Sequence, residues 1–277
     1  MTTVRIFIRF FLAWIALAAA QIVAGVIIRV PMVPIPHFME WYALSEGVIV
    51  ACLVAAVMRS DWRDWRLARA MFFVSVAIPL VNLIEGAVFL PNAPIDWRAV
   101  GALTLITYLV AALLWFAIFR SASVSEAQGD AALTHRTIGQ NAWRFVVCSA
   151  CYVFLYFLAG AIIFPYVRDF YAAQHLPSTG QIVALQFFLR GPVFILVCLT
   201  LLRMFRLPHL SGALAVGLTF TLLSGVAPLI VPSSVFPDSV RWVHFGEVTS
   251  SNLVFGFVVG WVWGHSKAVS RLQHAPA

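Results

Sequence analysis

Long apolar stretches, interrupted by short polar segments, form the main pattern of this sequence. A helix that crosses a bilayer needs about 20 mostly apolar residues, because the hydrocarbon core is about 30 Å thick. Uncharged stretches suited to this role occupy residues 10–28, 99–119, 145–167, 210–231 and 248–264. Three further stretches qualify if each is allowed one charge: 38–58 with Glu46, 70–90 with Glu85, and 181–202 with Arg190. The pattern therefore predicts eight transmembrane helices in an all-α integral membrane protein.

The composition excludes several classes of protein. Hydrophobic residues make up 62% of the chain and charged residues 10%, and the mean hydropathy is +0.94. Soluble domains carry about 45–50% apolar and about 25% charged residues. Too few charges remain to cover a water-exposed surface, so the lipid bilayer is the expected partner of most of the surface. A soluble enzyme, a nucleic-acid-binding domain and a disordered chain are all excluded by this arithmetic.

The basic residues fall mainly on one side of the predicted membrane. Of the 18 Lys and Arg residues, thirteen lie in the N-terminal segment, in the loops after the second, fourth and sixth spans, and in the C-terminal segment. Because Lys and Arg are enriched in cytoplasmic loops, both termini are expected in the cytoplasm. Lys267 is the only lysine, which is typical of a GC-rich bacterial genome. The expected location is therefore the bacterial cytoplasmic (inner) membrane.

Short segments recur along the chain in the same order. Residues 24–28 match 159–163, residues 44–47 align with 188–191, and residues 94–98 match 237–241. This order predicts two parallel four-helix repeats: residues 1–120 form the first, residues 121–142 a cytoplasmic linker, and residues 143–277 the second with a short cytoplasmic tail. Transporters built from repeats hold their substrates at the repeat interface near mid-membrane, so a site is expected there.

Two charged residues occupy equivalent positions in the predicted repeats. Glu46 and Arg190 each lie within a span, where an unpaired charge is costly and usually faces the bundle interior. We therefore expect an ion pair between them, flanked by Tyr42 and Gln186, each four residues earlier on the same helical face. Such a pair has two interpretations: it locks the halves together, or it binds an anionic group, a proton or a cation.

Further polar residues cluster at the predicted outer face. Asn82 and Glu85 share one face of the third span. His37 and Glu40 open the second span with the spacing H-x-x-E, and His244 and Glu247 repeat this spacing in the eighth. Imidazole and carboxylate groups from two helices are suitable ligands for zinc or iron. The alternative is that these residues are simply solvated at the level of the lipid headgroups.

Three functions remain open. The leading interpretation is a permease or binding protein for a small solute or ion, with a polar pathway open to the outer face and Glu46, Arg190, Gln186 and Glu85 near its floor. The second is a membrane-embedded enzyme acting at the outer face on a lipid or lipid-linked substrate, with the two H-x-x-E pairs as metal ligands or as general acid and base. The third is an assembly factor for another membrane protein.

Overall fold

The protein is helical throughout the part of the chain that the structure describes. The computed structural model describes residues 3–29, 37–120, 137–174, 176–233 and 236–264. No strand occurs in these ranges, and eight of the helices are long and apolar enough to cross a membrane. The prediction of eight such helices is confirmed.

The helices begin and end near the predicted spans. They are α1 (Thr3–Ile28), α2 (Phe38–Arg59), α3 (Asp64–Phe89), α4 (Trp97–Phe119), α5 (Ile138–Ala172), α6 (Thr179–Phe205), α7 (His209–Ile230) and α8 (Asp238–Trp263). Most of them are longer than the uncharged stretches, because backbone hydrogen bonding continues through the polar turns at either end. α6 and α7 each contain one π-helical turn, at Gln186–Arg190 and Leu222–Val226.

Polar residues directly before the apolar stretches fix where several helices start. The Thr137 side chain accepts a hydrogen bond from the backbone N–H of Gln140, whose side chain accepts one from the backbone N–H of Thr137. Ser178 and Gln181 form the same reciprocal arrangement at the start of α6. Asp96 accepts hydrogen bonds from two backbone N–H groups of α4. Each arrangement satisfies N–H groups that the first helical turn leaves without a partner.

The last residues of the expected linker are helical. Residues 138–142 belong to α5, because the capping pair at its N-terminus starts the helix before the apolar stretch begins. Residues 121–136 of the expected linker, and the predicted cytoplasmic tail 265–277, lie outside the described residues.

The first four helices pack as one group. α4 packs against both α1 and α3, and α2 contacts α1 and, less extensively, α3. The buried Trp115 of α4 donates its indole N–H to the Ala13 carbonyl of α1 at 2.9 Å. The rings of Trp65 in α3 and Phe116 in α4 stack with centroids 4.8 Å apart. These contacts make α4 the helix that joins α1 to α3.

The last four helices pack in the same order. α8 packs against both α5 and α7, while α6 contacts α5 and α7. Gly256 and Gly260 of α8 lie against Gly217 and Ala213 of α7, and a Cβ atom added to Gly260 would lie 2.6 Å from the Ala213 Cα atom. Small residues at a spacing of four let the two backbones approach closely, as they do between membrane helices.

The two groups meet through α2, α3, α6 and α7. α3 contacts α6 and α7, and α2 contacts α6 and α7. Ser45 of α2 donates a hydrogen bond to the Ala227 carbonyl of α7 at 2.7 Å. At the opposite end of these helices, Arg206 and Asp61 form a salt bridge of 2.5 Å between the α6–α7 and α2–α3 loops. Polar contacts therefore join the two groups at both of these positions.

The two π-helical turns precede prolines. The turn in α6 ends at Arg190, two residues before Pro192, and the turn in α7 ends at Val226, two residues before Pro228. Proline lacks an N–H group, and its ring clashes with the carbonyl four residues earlier in a regular helix. A wider turn accommodates the ring without ending the helix.

Candidate functional site

Each group of four helices encloses a cavity. The cavity of the second group is bounded by α5–α8 together with α3, has a volume of about 340 Å³ and contains Arg190; it is called the Arg190 cavity. The cavity of the first group is bounded by α1–α4, has a volume of about 930 Å³ and contains Glu46; it is called the Glu46 cavity. No residue lines both. The Glu46 cavity lies within the first group, whereas the Arg190 cavity lies between α3 and the second group.

Arg190 forms the polar centre of its cavity. Its guanidinium group donates to the Glu85 carboxylate and, at 2.9 Å, to the Asn82 side-chain oxygen, both on α3. Gln186 donates to the same carboxylate at 2.8 Å. The arginine side chain is 8% exposed and that of Glu85 is 21% exposed. The ion pair therefore joins the two groups of helices, and its carboxylate faces the cavity more openly than its guanidinium group.

Aromatic rings complete the surroundings of this arginine. Its guanidinium carbon lies 5.0 Å from the ring centroid of Phe194 and 5.8 Å from that of Tyr152, distances at which a ring face attracts a cation. Within the described part of the chain, the Nε atom of Arg190 has no hydrogen-bond partner. The π-helical turn that ends at Arg190 sets the direction of this side chain relative to the rest of α6.

A second polar chain lies in the same cavity. Tyr171 of α5 and His244 of α8 are joined by a hydrogen bond of 2.8 Å between the phenol oxygen and Nε2. The Nδ1 atom of His244 lies 2.6 Å from a carboxylate oxygen of Glu247. When the carboxylate is ionised and the imidazole neutral, Nδ1 donates to Glu247 and Nε2 accepts from the phenol. The chain Tyr171–His244–Glu247 therefore has the order of an acid–base relay.

The Arg190 cavity reaches one end of the bundle. Phe89 and Leu90 at the end of α3, Val231 after α7, and Phe236 before α8 all line it. This is the end that the distribution of basic residues predicts to face outward. Arg241, also at this end, donates to the Leu229 and Ile230 carbonyls of α7 and bonds to Asp238. The arginine thereby holds the start of α8 against the end of α7.

The expected ion pair between Glu46 and Arg190 is wrong. Arg190 pairs with Glu85, whereas Glu46 lies in the other cavity, where Gln21 and Trp14 hydrogen bond to its carboxyl group. Equivalence between two sequence segments does not by itself bring their residues into contact. Tyr42 accompanies Glu46 in the lining of the Glu46 cavity, as their spacing of four predicts.

The expected four-residue metal site is not assembled. His37 and Glu40 are 3.5 Å apart and largely exposed, with the imidazole 78% accessible, while His244 and Glu247 point into the Arg190 cavity. In the ranges that the structure describes, no three His, Cys, Asp or Glu side chains come together as a metal site. The two H-x-x-E segments differ because α2 begins in a solvent-facing turn, whereas the corresponding part of α8 packs against α5.

Of the residues singled out in the sequence, the structure brings five into the lining of one cavity. They are Asn82, Glu85, Arg190, His244 and Glu247. Gln186 lies behind them and donates a hydrogen bond to Glu85. Sequence reasoning missed Tyr152, Tyr156 and Tyr171, which line the same cavity. Their spacing offers a signal: Tyr152 and Tyr156 are four residues apart in an apolar span, which places two phenols on one face of α5.

Comparisons with protein-family models, with curated proteins and with solved structures each find no match.

Proposed function

We propose that the protein is a multi-pass protein of the bacterial cytoplasmic membrane, built from two parallel repeats, with both termini in the cytoplasm. The bias of basic residues toward one set of loops supports the orientation. The packing order also supports the repeat. The contacts of α4 with α1 and α3 correspond to the contacts of α8 with α5 and α7, and the contact of α1 with α2 corresponds to that of α5 with α6. Glu46 and Arg190, which occupy equivalent positions in the proposed repeats, each line one of the two cavities.

We propose further that the protein binds and transports a small polar solute in the Arg190 cavity. The observation that carries this proposal is the buried Arg190–Glu85–Asn82 cluster at a cavity that reaches the end of the bundle. Ionisable residues within membrane spans are expensive and mark substrate or ion pathways. Glu85 comes from α3 and Arg190 from α6, so movement of one helix group against the other would break or form this pair.

The chemistry of the cavity indicates the kind of solute. Its charged groups include Arg190, Arg241, Glu85 and Glu247, so both signs are present in a restricted volume of about 340 Å³. A solute with donors and acceptors but little net charge fits this mixture better than a simple anion or cation. The phenol groups of α5 supply further hydrogen-bonding positions and apolar ring faces.

A counterflow experiment tests the transport proposal. Liposomes containing purified protein are loaded with a mixture of amino acids, carboxylates, amines and sugars, and uptake of the isotope-labelled mixture is followed by mass spectrometry. We expect one small polar class to accumulate, and Arg190→Lys or Glu247→Gln to reduce its uptake by about tenfold or more, because a hydrogen bond to a charged group contributes about 1.5–3 kcal/mol. Glu40→Gln, on the exposed start of α2, serves as the control. No uptake of any class, or equal uptake by all variants, would contradict the proposal.

A second candidate function rests on the Tyr171–His244–Glu247 chain. A histidine oriented by a carboxylate can act as a general base, with Nε2 accepting a proton from a substrate group that takes the place of the Tyr171 phenol. The matching activity is that of a membrane-embedded enzyme acting at the outer face on a lipid or lipid-linked substrate. Incubation of the reconstituted protein with a bacterial lipid extract should then yield a new product by mass spectrometry with the wild type and with Glu40→Gln, but not with His244→Gln. Unchanged lipid profiles would rule this activity out for the extract's components.

A further inference from the structure

The Glu46 cavity has no role in the proposed transport of a polar solute. It lies in the other group of helices and shares no lining residue with the Arg190 cavity. Its volume of about 930 Å³ falls in the range of about 300–1,000 Å³ that is typical of pockets for drug-sized ligands. The cavity therefore calls for an explanation of its own.

One buried carboxyl group dominates the polarity of this cavity. Glu46 is 5% exposed, and its Oε1 atom has no hydrogen-bond partner among the residues that the structure describes. Gln21 and Trp14 supply the hydrogen bonds that the group does receive. None of the described residues that line the cavity is Arg, Lys or His. A carboxylate in such a place needs a proton or an external cation to offset its burial.

Aromatic rings surround the approach to this carboxyl group. Trp14 of α1, Phe38 and Tyr42 of α2, and Tyr108 of α4 line the cavity. The rings of Phe38 and Tyr42 are stacked, with centroids 5.2 Å apart. Ring faces attract organic cations, and aromatic cages are the usual means by which proteins recognise them. The carboxylate and the rings together therefore favour a molecule that carries a positive charge on an apolar body.

The walls of the cavity continue into the lipid-facing surface. Ile15, Ile22 and Val26 of α1 line the cavity and are also exposed, Ile22 at 69%. Metal ions such as Ca²⁺ and Mg²⁺ take about six or more oxygen ligands, whereas this lining is mostly apolar. An apolar opening beside α1 instead admits a molecule that is already dissolved in the bilayer.

We infer that the Glu46 cavity binds a lipophilic organic cation, which enters from the bilayer beside α1 and places its positive charge against the Glu46 carboxylate and its apolar body among the aromatic rings. The site does not depend on the proposed transport of a polar solute, since the two cavities share no residue.

Binding of the fluorescent cation rhodamine 6G tests this inference. The full-length protein is placed in nanodiscs of zwitterionic lipid, and fluorescence polarisation is measured against protein concentration. We expect saturable binding to the wild type, and a dissociation constant raised about tenfold or more by Glu46→Gln, because a desolvated cation loses its charge partner. Glu40→Gln, an exposed change on the same helix, should bind as the wild type does.

Two further variants keep the test decisive. Ile22→Trp leaves the carboxylate intact but fills the opening at an exposed position, so it should also weaken binding. Arg190→Lys should leave rhodamine binding unchanged, which separates this site from the proposed solute pathway. Absence of saturable binding to the wild type would overturn the inference. It would also be overturned if Glu46→Gln bound rhodamine 6G as tightly as the wild type does. The same holds if Glu46→Gln weakened the binding of the neutral dye Nile red by the same factor.

Discussion

At the scale of single residues, Arg190 shows how the structure stabilises a charge inside an apolar bundle. Its guanidinium group is shared between Glu85 and Asn82, while Gln186 donates to the same carboxylate. Removing one partner of such a pair leaves the other charge buried and uncompensated, which costs more than the pair itself contributes. The two residues are therefore expected to be strongly coupled in stability.

Loss of the Glu85 charge tests this coupling. Glu85→Gln should lower the free energy of unfolding by about 3–5 kcal/mol, because Arg190 is left without its counter-charge. The double variant Glu85→Gln with Arg190→Gln should regain part of that loss. Thermal unfolding in detergent, followed by tryptophan fluorescence, measures both. As the matched comparison, the double variant Glu46→Gln with Arg190→Gln should lose as much free energy of unfolding as the two single variants lose together. Coupling between those two residues would contradict the pairing seen in the structure.

The different surroundings of the two H-x-x-E segments give a second prediction. His37 is exposed, whereas His244 is 15% exposed and has both ring nitrogens in hydrogen bonds. Diethylpyrocarbonate should therefore modify His37 much faster than His244, as read by peptide mass spectrometry. Glu247→Ala should raise the rate at His244 and leave that at His37 unchanged. Equal rates at the two histidines in the wild type would show that the Tyr171–His244–Glu247 chain does not form.

The sequence predicts some parts of this site and not others. Spacings of three and four along one helix correctly place Asn82 with Glu85 and Gln186 with Arg190, since these are properties of a single helix. The partner of Arg190 was predicted wrongly, because repeat equivalence relates positions without bringing them into contact. The contact of Tyr171 with His244 joins α5 to α8, and no local pattern specifies which helices pack together.

At the scale of elements, the π-helical turns and the close contact of α7 with α8 depend on individual glycines and prolines. The length of each span follows from the apolar pattern, but a hydropathy average does not detect a turn with one extra residue. The prolines at 192 and 228 follow these turns and would clash with the preceding turn of a regular helix. Pro79 of α3 and Pro165 of α5 lie in helices that have no such turn, so proline alone does not predict one. Arg190 and Ser224 both lie in such turns and both line the Arg190 cavity.

The glycines of α8 provide a matched pair of substitutions. At Gly260 an added Cβ atom would lie 2.6 Å from the Cα atom of Ala213, whereas at Gly246 it would meet nothing within 4 Å. Gly260→Ala should therefore destabilise the protein by about 1–3 kcal/mol through overpacking. Gly246→Ala should be neutral or stabilising by up to about 1 kcal/mol, because alanine favours a helix. Melting temperatures in detergent distinguish the two, and equal melting temperatures for both variants would show that close packing at Gly260 does not determine the effect.

At the scale of the whole molecule, two four-helix groups meet through α2, α3, α6 and α7, and each encloses a cavity. The number of spans follows from the sequence, because each apolar stretch is long enough to be read on its own. The arrangement of the spans does not, since helices that are apolar on nearly every face carry little information about which face meets a partner.

Labelling of single cysteines tests the orientation of the bundle in the membrane. Because thirteen of the 18 basic residues fall in one set of loops, residue 127 is expected in the cytoplasm and Gln174, between α5 and α6, outside. A single cysteine is introduced at either position in a variant whose four natural cysteines are replaced by alanine. A membrane-impermeant maleimide should label Gln174→Cys in intact cells, and Ala127→Cys only after lysis. The Arg190 cavity reaches the same end of the bundle as the α5–α6 loop, so this result would mean that the cavity opens to the outside. The reverse labelling pattern would mean that the cavity opens to the cytoplasm, and export would then be the natural direction of the proposed transport.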